Sequence, residues 1–320
     1  MGVHVGEHVI SLDMKEDGAS LNFVSHAHSD HTGGVKKGNA ILCSSITRDL
    51  IEARIKFRLN LAEKPKSVEL ISSGHMLGSS QLYVEMEDGT SLVYTGDYQM
   101  QRSPAAEKIE VRSADILIMD STYPFPNVTF EEKEEVMTSI QHYISKKRGT
   151  GSVLFGAYSM GKAQELIRIC NDIGISPIVD SSIEKISRIY SRHGVELDFR
   201  PSAVEERIER DYFEADAWIV SMGRLDKVRR MVSESGRRIF TAVATGFARS
   251  RRFSTDVQFA MSDHADFRQA IEYLEICNPK QIFTRGSESA VFAKNLRSFG
   301  YNAMELRPDI GLNRFIETYA

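Results

Sequence analysis

Residues 23–31 read Phe23-Val24-Ser25-His26-Ala27-His28-Ser29-Asp30-His31, an apolar β-type run followed by three histidines and an aspartate. Imidazole nitrogens beside a carboxylate suit zinc, with manganese or iron as alternatives. A helix would turn residues two apart to roughly opposite sides, whereas a tight loop can direct all four side chains at one volume. The spacing therefore predicts a metal site on a loop that follows a strand. The alternative of a solvated polar loop is disfavoured, because further ligand-type residues recur downstream.

Two of these downstream residues each follow a strand-like segment. His75 lies in Ser73-Gly74-His75-Met76-Leu77-Gly78, where glycines free the backbone, and Asp97 lies in Tyr94-Thr95-Gly96-Asp97. Taken alone, each is more often a structural residue in a turn. Together with the first cluster they complete a ligand set for two metals, in which Asp97 would bridge the ions and orient the water between them.

Composition indicates an ordinary globular protein. The 320 residues are 42% hydrophobic and 26% charged, with a formal net charge of −4, and a chain of this length favours two structural units. The N-terminus has no cationic segment before an apolar core and no apolar run approaches ~20 residues, so we expect neither a signal peptide nor a membrane span. Three isolated cysteines argue against a disulfide framework and for a reducing compartment, so we expect a cytoplasmic protein.

Basic residues crowd the stretch from Arg224 to Arg252 despite the acidic total. A solvated helix face followed by a loop explains such a run as readily as nucleic-acid binding does. The second explanation gains weight if the metal site acts on a phosphodiester. In that case Arg249, Arg251 and Arg252 are candidate substrate-binding residues.

The pattern of segments changes at about residue 120. Before it, branched and aromatic residues between turn formers predict strands at Leu21–Ser25, Val68–Ser72, Gln81–Met86, Leu92–Thr95 and Ile116–Asp120. After it, helices and strands alternate, beginning with a helix at Phe130–Lys147 that has acidic residues first and lysines last. The first part predicts a sheet sandwich with its site on loops, and the second predicts a parallel α/β unit.

Three motifs occur in a fixed order and spacing: His26-Ala27-His28-Ser29-Asp30-His31, Gly74-His75 and Thr95-Gly96-Asp97. In this order they resemble the metallo-β-lactamase superfamily. Met119-Asp120-Ser121-Thr122-Tyr123 and Met261-Ser262-Asp263-His264-Ala265-Asp266-Phe267 are similar to its β-CASP branch of nucleases. That branch includes DNA-ligase-associated exonucleases and the nucleases of messenger-RNA 3′-end processing.

The resemblance covers nearly the whole chain and implies its architecture. We expect an α/β fold, an αβ/βα metallo-β-lactamase sandwich with an inserted α/β β-CASP domain. The expected segments are 1–122 and 256–320 for the sandwich and 123–255 for the insertion. The active site is expected in the cleft between the two domains.

The resemblance also assigns roles to the motif residues. It implies six metal ligands: His26, His28 and His75 for one ion, Asp30 and His31 for the other, and Asp97 between them. It implies four catalytic residues: Asp30, Asp97, Asp120 and His264. Asp120 and His264 would handle the proton of the leaving group, since a histidine tuned by a carboxylate can act as an acid near neutral pH. The implied cofactor is zinc, as one or two ions.

One position departs from the family pattern. Where the family ends a strand with a His-Gly pair that completes the second metal site, this chain has Thr284-Arg285-Gly286. A guanidinium stays protonated and cannot donate a lone pair to a metal. We therefore expect a weak, partly occupied or absent second ion, and Arg285 becomes a candidate to bind a substrate phosphate.

The function that the resemblance implies is a zinc-dependent phosphodiesterase acting on single-stranded DNA or RNA. An exonuclease is favoured over an endonuclease, in DNA repair or RNA processing. Two alternatives stay open: a catalytically degenerate paralogue that binds nucleic acid or a partner without cutting, which Arg285 favours, and a small-molecule metallo-hydrolase, which leaves the inserted domain unexplained. The expected partners are single-stranded nucleic acid and either a second copy of the chain or a ligase or processing protein, with no membrane.

Overall fold

Every strand that the first 120 residues predict is present in the computed structural model, which describes residues 2–202, 215–234 and 236–307. The chain forms two units. Unit 1 consists of Met1–Arg102, Glu107–Thr129 and His264–Ala320, and unit 2 consists of Ser103–Ala106 and Phe130–Asp263. One unit is thus built from both ends of the chain and the other from its middle.

The boundaries lie at 129/130 and 263/264, about seven or eight residues beyond those expected from the motifs. Pro124 is tied into unit 1, because its carbonyl accepts a hydrogen bond of 2.9 Å from Asn295 Nδ2. Residues 257–259 lie in unit 2, because they form a strand of its sheet. Both differences come from tertiary pairing, which the local sequence does not display.

The elements of unit 1 and unit 2 are numbered together in chain order. The strands are β1 (Gly2–Val5), β2 (His8–Leu12), β3 (Leu21–Phe23), β4 (Ala40–Leu42), β5 (Asn60–Leu61), β6 (Val68–Ser72), β7 (Ser80–Glu85), β8 (Ser91–Tyr94), β9 (Ile116–Asp120), β10 (Ser152–Ala157), β11 (Ile178–Val179), β12 (Arg200–Pro201), β13 (Ala217–Ser221), β14 (Ile239–Ala244), β15 (Val257–Phe259), β16 (Gln281–Arg285) and β17 (Ala303–Glu305). The α-helices are α1 (Ser45–Glu52), α2 (Lys133–Lys147), α3 (Lys162–Asn171), α4 (Ser181–Arg192), α5 (Leu225–Glu234), α6 (Phe267–Cys277) and α7 (Ser289–Ser298).

Unit 1 contains two mixed sheets. The first has the strand order β1-β2-β3-β4-β5 and the second has the order β17-β16-β9-β8-β7-β6. Apolar side chains of the two sheets form one core, in which Leu12 and Phe23 of the first sheet meet Leu82, Ile118 and Phe283 of the second. Successive residues of a strand point to opposite faces of the sheet. The residues of the second sheet that point away from this core pack against helices α6 and α7. The expected α/β sandwich is confirmed.

Unit 2 is a parallel α/β layer structure. Its sheet has the order β12-β11-β13-β10-β14-β15, and all of its pairs are parallel. Phe155 of β10 faces α2, α3 and α4, whereas the adjacent Leu154 faces α5. Helices therefore lie on both faces of this sheet. Among the described residues, no helix has the length and apolar character needed to cross a membrane.

Candidate metal centre and active site

Three loops of unit 1 carry the first ligand-type residues, and each loop follows a strand. The loop after β3 holds the first histidines and is fixed where Val24 N donates to the Leu42 carbonyl at 3.0 Å. Gly74 and Gly96 precede the other two ligands with φ of +71° and +55°. A Cβ at Gly74 would lie 2.5 Å from the Gln99 carbonyl oxygen, and one at Gly96 would lie 2.5 Å from Ser25 Cβ. Only glycine lets these loops approach so closely.

The four residues His26, His28, His75 and Asp97 converge on one volume. His28 Nδ1 lies 3.0 Å from His26 Nε2 and 3.2 Å from His75 Nε2. Asp97 Oδ2 lies 3.5 Å from His26 Nε2 and 3.7 Å from His75 Nε2. One ligand atom from each of the four lies within 4.8 Å of all the others. Three of the four side chains are buried, so this is a compact, largely water-excluded donor set.

Burial and neighbouring charges set the electrostatics of this cluster. Burial, together with the adjacent histidines, lowers the pKa of His26 well below its ordinary value. The imidazole is therefore neutral and keeps a lone pair to donate. Although burial opposes it, the surrounding histidines His264, His31 and His26 hold the pKa of Asp97 well below its usual range.

A buried aspartate that the sequence motifs did not include orients the first histidine. Asp13 Oδ1 accepts from Ser25 N, and Asp13 Oδ2 accepts from Ser25 Oγ, both at 2.6 Å. Ser25 Oγ also lies 3.0 Å from His26 Nδ1. Because the serine proton is donated to Asp13, this oxygen can only accept from the histidine, which places the ring proton on Nδ1. His26 then presents its Nε2 lone pair to the cluster, as metal-binding histidines do.

The same aspartate gathers two further side chains. His31 Nδ1 donates to Asp13 Oδ2 at 2.8 Å, and Tyr94 Oη donates to it at 2.7 Å. Burial lowers the pKa of His31, but hydrogen bonds to Asp13 and Asp97 outweigh it and raise this pKa to about 11. Burial and the Asp13 charge raise the pKa of Tyr94, so its hydroxyl stays protonated.

A second group meets the cluster at Asp97. His264 Nδ1 lies 3.2 Å from Asp120 Oδ2, and His264 Nε2 lies 3.8 Å from Asp97 Oδ2. The main chain at this histidine is fixed by unit 1, because Gln99 Nε2 donates to the His264 carbonyl at 3.1 Å. Asp97, Asp120 and His264 each offer a ligand-type atom within 4.8 Å of the others. The group of Asp97, Asp120 and His264 therefore shares the Asp97 carboxylate with the metal-type cluster.

Comparisons with known proteins agree with these motifs. The chain is 30% identical over 305 residues to a probable DNA ligase of Opitutus terrae, covering 90% of this chain and 29% of that protein. It is 28% identical over 195 residues to the DNA cross-link repair protein SNM1 of Arabidopsis thaliana, covering 53% of this chain and 38% of the relative. It is 27% identical over 180 residues to an RNase J-like protein of Methanocaldococcus jannaschii, covering 47% of this chain and 42% of the relative.

The chain belongs to the metallo-β-lactamase superfamily, in its β-CASP branch.

The chain spans less than half the length of each of these three relatives. No family model matches it. Among solved structures, a protein of unknown function from Enterococcus faecalis superposes with a TM-score of 0.61 at 12% identity, over 90% of this chain and 79% of that one. At this identity the likeness supports the fold alone.

Asp30 and His31, the residues expected to hold a second ion in this β-CASP chain, do not converge on one volume as the first four residues do. His31 Nε2 lies 3.3 Å from Asp97 Oδ1 and 3.7 Å from Asp30 Oδ2. The Asp30 side chain is 79% exposed. Among the described residues, Asp30 and His31 join no group of three ligand atoms within 4.8 Å of one another. This donor set does not fit a second ion as it stands.

Arg285 lies at the carboxyl end of β16, directly beside Asp120 of β9. Its guanidinium carbon lies 5.1 Å from the centre of the Tyr94 ring, and its NH1 donates to the Tyr94 hydroxyl. Tyr94 donates in turn to Asp13. Arg285 is therefore connected to the buried carboxylate that supports His26 and His31, and a fixed positive charge lies where the family supplies a ligand.

The basic residues between 224 and 252 are divided between helix α5 and two edges of the unit 2 sheet. Arg237 and Arg238 precede β14, where Arg237 Nε donates to Ser152 Oγ at 2.8 Å. Arg249, Arg251 and Arg252 follow the other end of β14 and are exposed. Arg224 follows β13 at this same carboxyl edge, whereas Lys227, Arg229 and Arg230 lie on α5.

Sequence reasoning missed Asp13, Ser25 as a bridging side chain, and Tyr94. Asp13 follows the short, largely apolar run His8–Leu12, which forms β2. A short apolar run that ends at an aspartate is the signal that could have indicated it, although this run has no strict alternation. For Ser25 and Tyr94 no local signal exists, because their roles come from contacts with Asp13.

Proposed function

We propose that this chain is a metal-dependent phosphodiesterase that cleaves single-stranded nucleic acid. One observation carries the proposal: Asp97 Oδ2 lies 3.5 Å from His26 Nε2 and 3.8 Å from His264 Nε2. A cation-binding cluster and a candidate proton donor therefore flank the same point in unit 1. The relatives named for DNA cross-link repair and as RNase J-like are consistent with this chemistry.

His26, His28, His75 and Asp97 fit a divalent cation. They supply three imidazole nitrogens and a carboxylate oxygen, which is a donor set that zinc prefers, with manganese or iron as alternatives. Bound there, such an ion would activate water at neutral pH and stabilise negative charge on a phosphate. Ser25 and Asp13 hold His26 in the tautomer that donates from Nε2, so the cluster is preorganised by its own protein contacts.

His264 and Asp120 fit the role of the acid that assists departure of the leaving oxygen. The 3.2 Å contact between His264 Nδ1 and Asp120 Oδ2 stabilises a protonated ring and fixes its orientation. Nε2 then points toward Asp97 and can give its proton to an oxygen bound beside it. Asp120 acts through His264 and keeps the ring in place.

We further propose that this chain works with one ion. Arg285 cannot act as a ligand, and its guanidinium instead supplies positive charge to the group formed by Tyr94, Asp13 and His31. A fixed cation there reduces the need for a second ion to balance the buried carboxylates. Arg285 is also near enough to the site edge, beside Asp120, to pair with a substrate phosphate.

The finer parts of the proposal concern substrate and setting. We propose action at strand ends, as an exonuclease in DNA repair or RNA processing in the cytoplasm. A second copy of the chain or a ligase or processing protein is the proposed protein partner.

The experiment measures cleavage of end-labelled single-stranded DNA and RNA by the zinc-reconstituted chain. Chelation should abolish cleavage, and so should His28→Ala, because each empties or breaks the cluster. His142→Ala is the matched control, since His142 is an exposed histidine of unit 2, and it should leave cleavage unchanged. Cleavage that continues in chelator at the same rate would refute the proposal.

Arg285 also favours a second candidate, a binding protein that does not cut. The same assay separates the two functions. Under this alternative, the reconstituted chain would hold zinc and bind single strands tightly without releasing product.

A further inference from the structure

The carboxyl edge of the unit 2 sheet exposes two aromatic side chains. Tyr158 follows β10 and is 53% exposed, and Phe247 follows β14 and is 36% exposed. The two strands are parallel neighbours with Gly156 paired to Val243, so both residues emerge at the same edge. Exposed aromatic residues that occur singly need no explanation, so what matters here is that Tyr158 and Phe247 follow two paired strands at one edge, with exposed arginines beside Phe247.

The loop that carries Phe247 is held in a defined shape. Gln258 Nε2 donates to the carbonyl oxygens of Ala248 and Arg251 at 2.8 and 2.9 Å. Phe247 N donates to Thr245 Oγ1 at 3.3 Å. The Arg251 guanidinium carbon lies 4.9 Å from the centre of the Phe247 ring. The aromatic face and the cation above it are thus positioned by the fold.

The topology of the sheet has a switch point at this edge, between β10 and β13. β10 leads into α3, which packs on the face that carries Phe155, whereas β13 leads into α5, which packs on the face that carries Leu154. β10 and β13 are neighbours, with Ala157 paired to Ser221. Their connections therefore leave in opposite directions, and in open parallel sheets ligands bind outside the carboxyl ends at such a point.

Charge at this edge matches a polyanion. Arg249, Arg251 and Arg252 are exposed, although the whole chain carries a formal net charge of −4. Arginines that neutralise phosphates beside aromatic faces that stack bases are the arrangement by which proteins hold single strands without reading sequence.

We propose that this edge of unit 2 is a binding site for one polynucleotide strand, with bases stacked on Tyr158 and Phe247 and phosphates paired with Arg249, Arg251 and Arg252. The site rests on the proposed function in that the bound strand is the one to be cut. It goes beyond that function by assigning two aromatic residues and a place in unit 2. Duplexes bind less well, because their bases are already stacked.

The test measures the affinity of fluorescent single strands by anisotropy in the presence of chelator, so that no cleavage occurs. DNA and RNA strands of one sequence form separate arms. Tyr158→Ala and Phe247→Ala should each weaken binding by about 5-fold to 150-fold, as expected for about 1–3 kcal/mol per stacked base. An abasic strand should bind the unaltered chain and both variants alike. Equal affinity of all three proteins for the base-containing strand, or an equal loss for the abasic strand, would overturn the proposal.

A matched pair of arginines tests the charge. Arg238 lies 4.9 Å from the ring of Phe240, the same cation–ring distance as Arg251 and Phe247, but at the opposite end of β14. Affinity falls as salt rises, and Arg251→Gln should make the slope of log affinity against log salt less steep by about 0.7. Arg238→Gln should leave this slope unchanged. If Arg251→Gln and Arg238→Gln change the salt slope equally, the strand does not bind at the carboxyl edge and the proposal is wrong. Because chelator removes catalysis, binding without any cleavage by the reconstituted chain would refute the proposed function alone.

Discussion

Ser25→Ala is expected to weaken zinc binding although Ser25 is not a ligand. The change removes the oxygen that accepts from His26 Nδ1 at 3.0 Å, and both side chains are fully buried. A buried donor left without an acceptor costs about 1–3 kcal/mol. The ring is also released to place its proton on Nε2, the nitrogen that faces the cluster. Loss of such supporting contacts typically lowers metal affinity by about 10-fold to 100-fold.

The assay is competition for zinc between the metal-stripped chain and a chromophoric chelator at neutral pH. Ser11→Ala is the control. The Ser11 hydroxyl of β2 donates to Asn22 Oδ1 of β3 at 3.0 Å, and Ser11 is as buried as Ser25. Ser25→Ala should lose about 1–3 kcal/mol of stability and Ser11→Ala about 1 kcal/mol, but only Ser25→Ala should lose zinc affinity. If both bind zinc as tightly as the unaltered chain, His26 is not oriented through Ser25.

The remaining predictions concern the buried charges of unit 2 and the second ion. Lys162→Met removes a buried cation 2.7 Å from Glu165 Oε2 and should destabilise unit 2 by about 3–5 kcal/mol in urea unfolding. The control is the exposed Lys146→Met, which should change stability by less than about 0.5 kcal/mol; equal effects would contradict the assigned burial. Burial raises the pKa of Asp263, but the neighbouring lysines outweigh it and lower this pKa. The ionised Asp263 therefore stabilises the folded chain at pH values above its unfolded-state pKa of about 3.9, and this stabilisation is lost as the pH falls below that value. The urea concentration at the midpoint of unfolding should fall with it across acid pH for the unaltered chain, and this part of the fall should be absent in Asp263→Asn. Arg285→His should raise bound zinc above one equivalent by elemental analysis, and one equivalent in both proteins would contradict the role given to Arg285.

The metal-type cluster could be predicted because its residues are close in sequence or lie in distinctive turns. The spacing of His26 and His28 and the glycines beside His75 and Asp97 are local features, and local geometry brings these side chains together. The approach of His264 to Asp120, which is separated by 144 residues, came from the family resemblance instead. Periodicity alone contains no such information.

The supporting contacts could not be predicted, because they depend on which strands become neighbours. The first sheet was largely missed, since β4 and β5 have only three and two residues and too few alternations to show a pattern. Without that sheet, nothing indicates that Asp13 lies beneath Ser25. In the same way, the basic run from Arg224 to Arg252 is continuous in sequence, whereas the fold divides it between helix α5 and the two opposite edges of the unit 2 sheet.

The central claim is that one ion at His26, His28, His75 and Asp97 supports cleavage. A zinc titration of the metal-stripped chain, with bound zinc and the rate of single-strand cleavage recorded on the same samples, would show whether one ion is sufficient. If one ion is sufficient, the metal-free chain should not cleave, and the rate should rise in proportion to bound zinc and level off at one equivalent. Cleavage by the metal-free chain, or a rate that rises only after the first equivalent is bound, would contradict it.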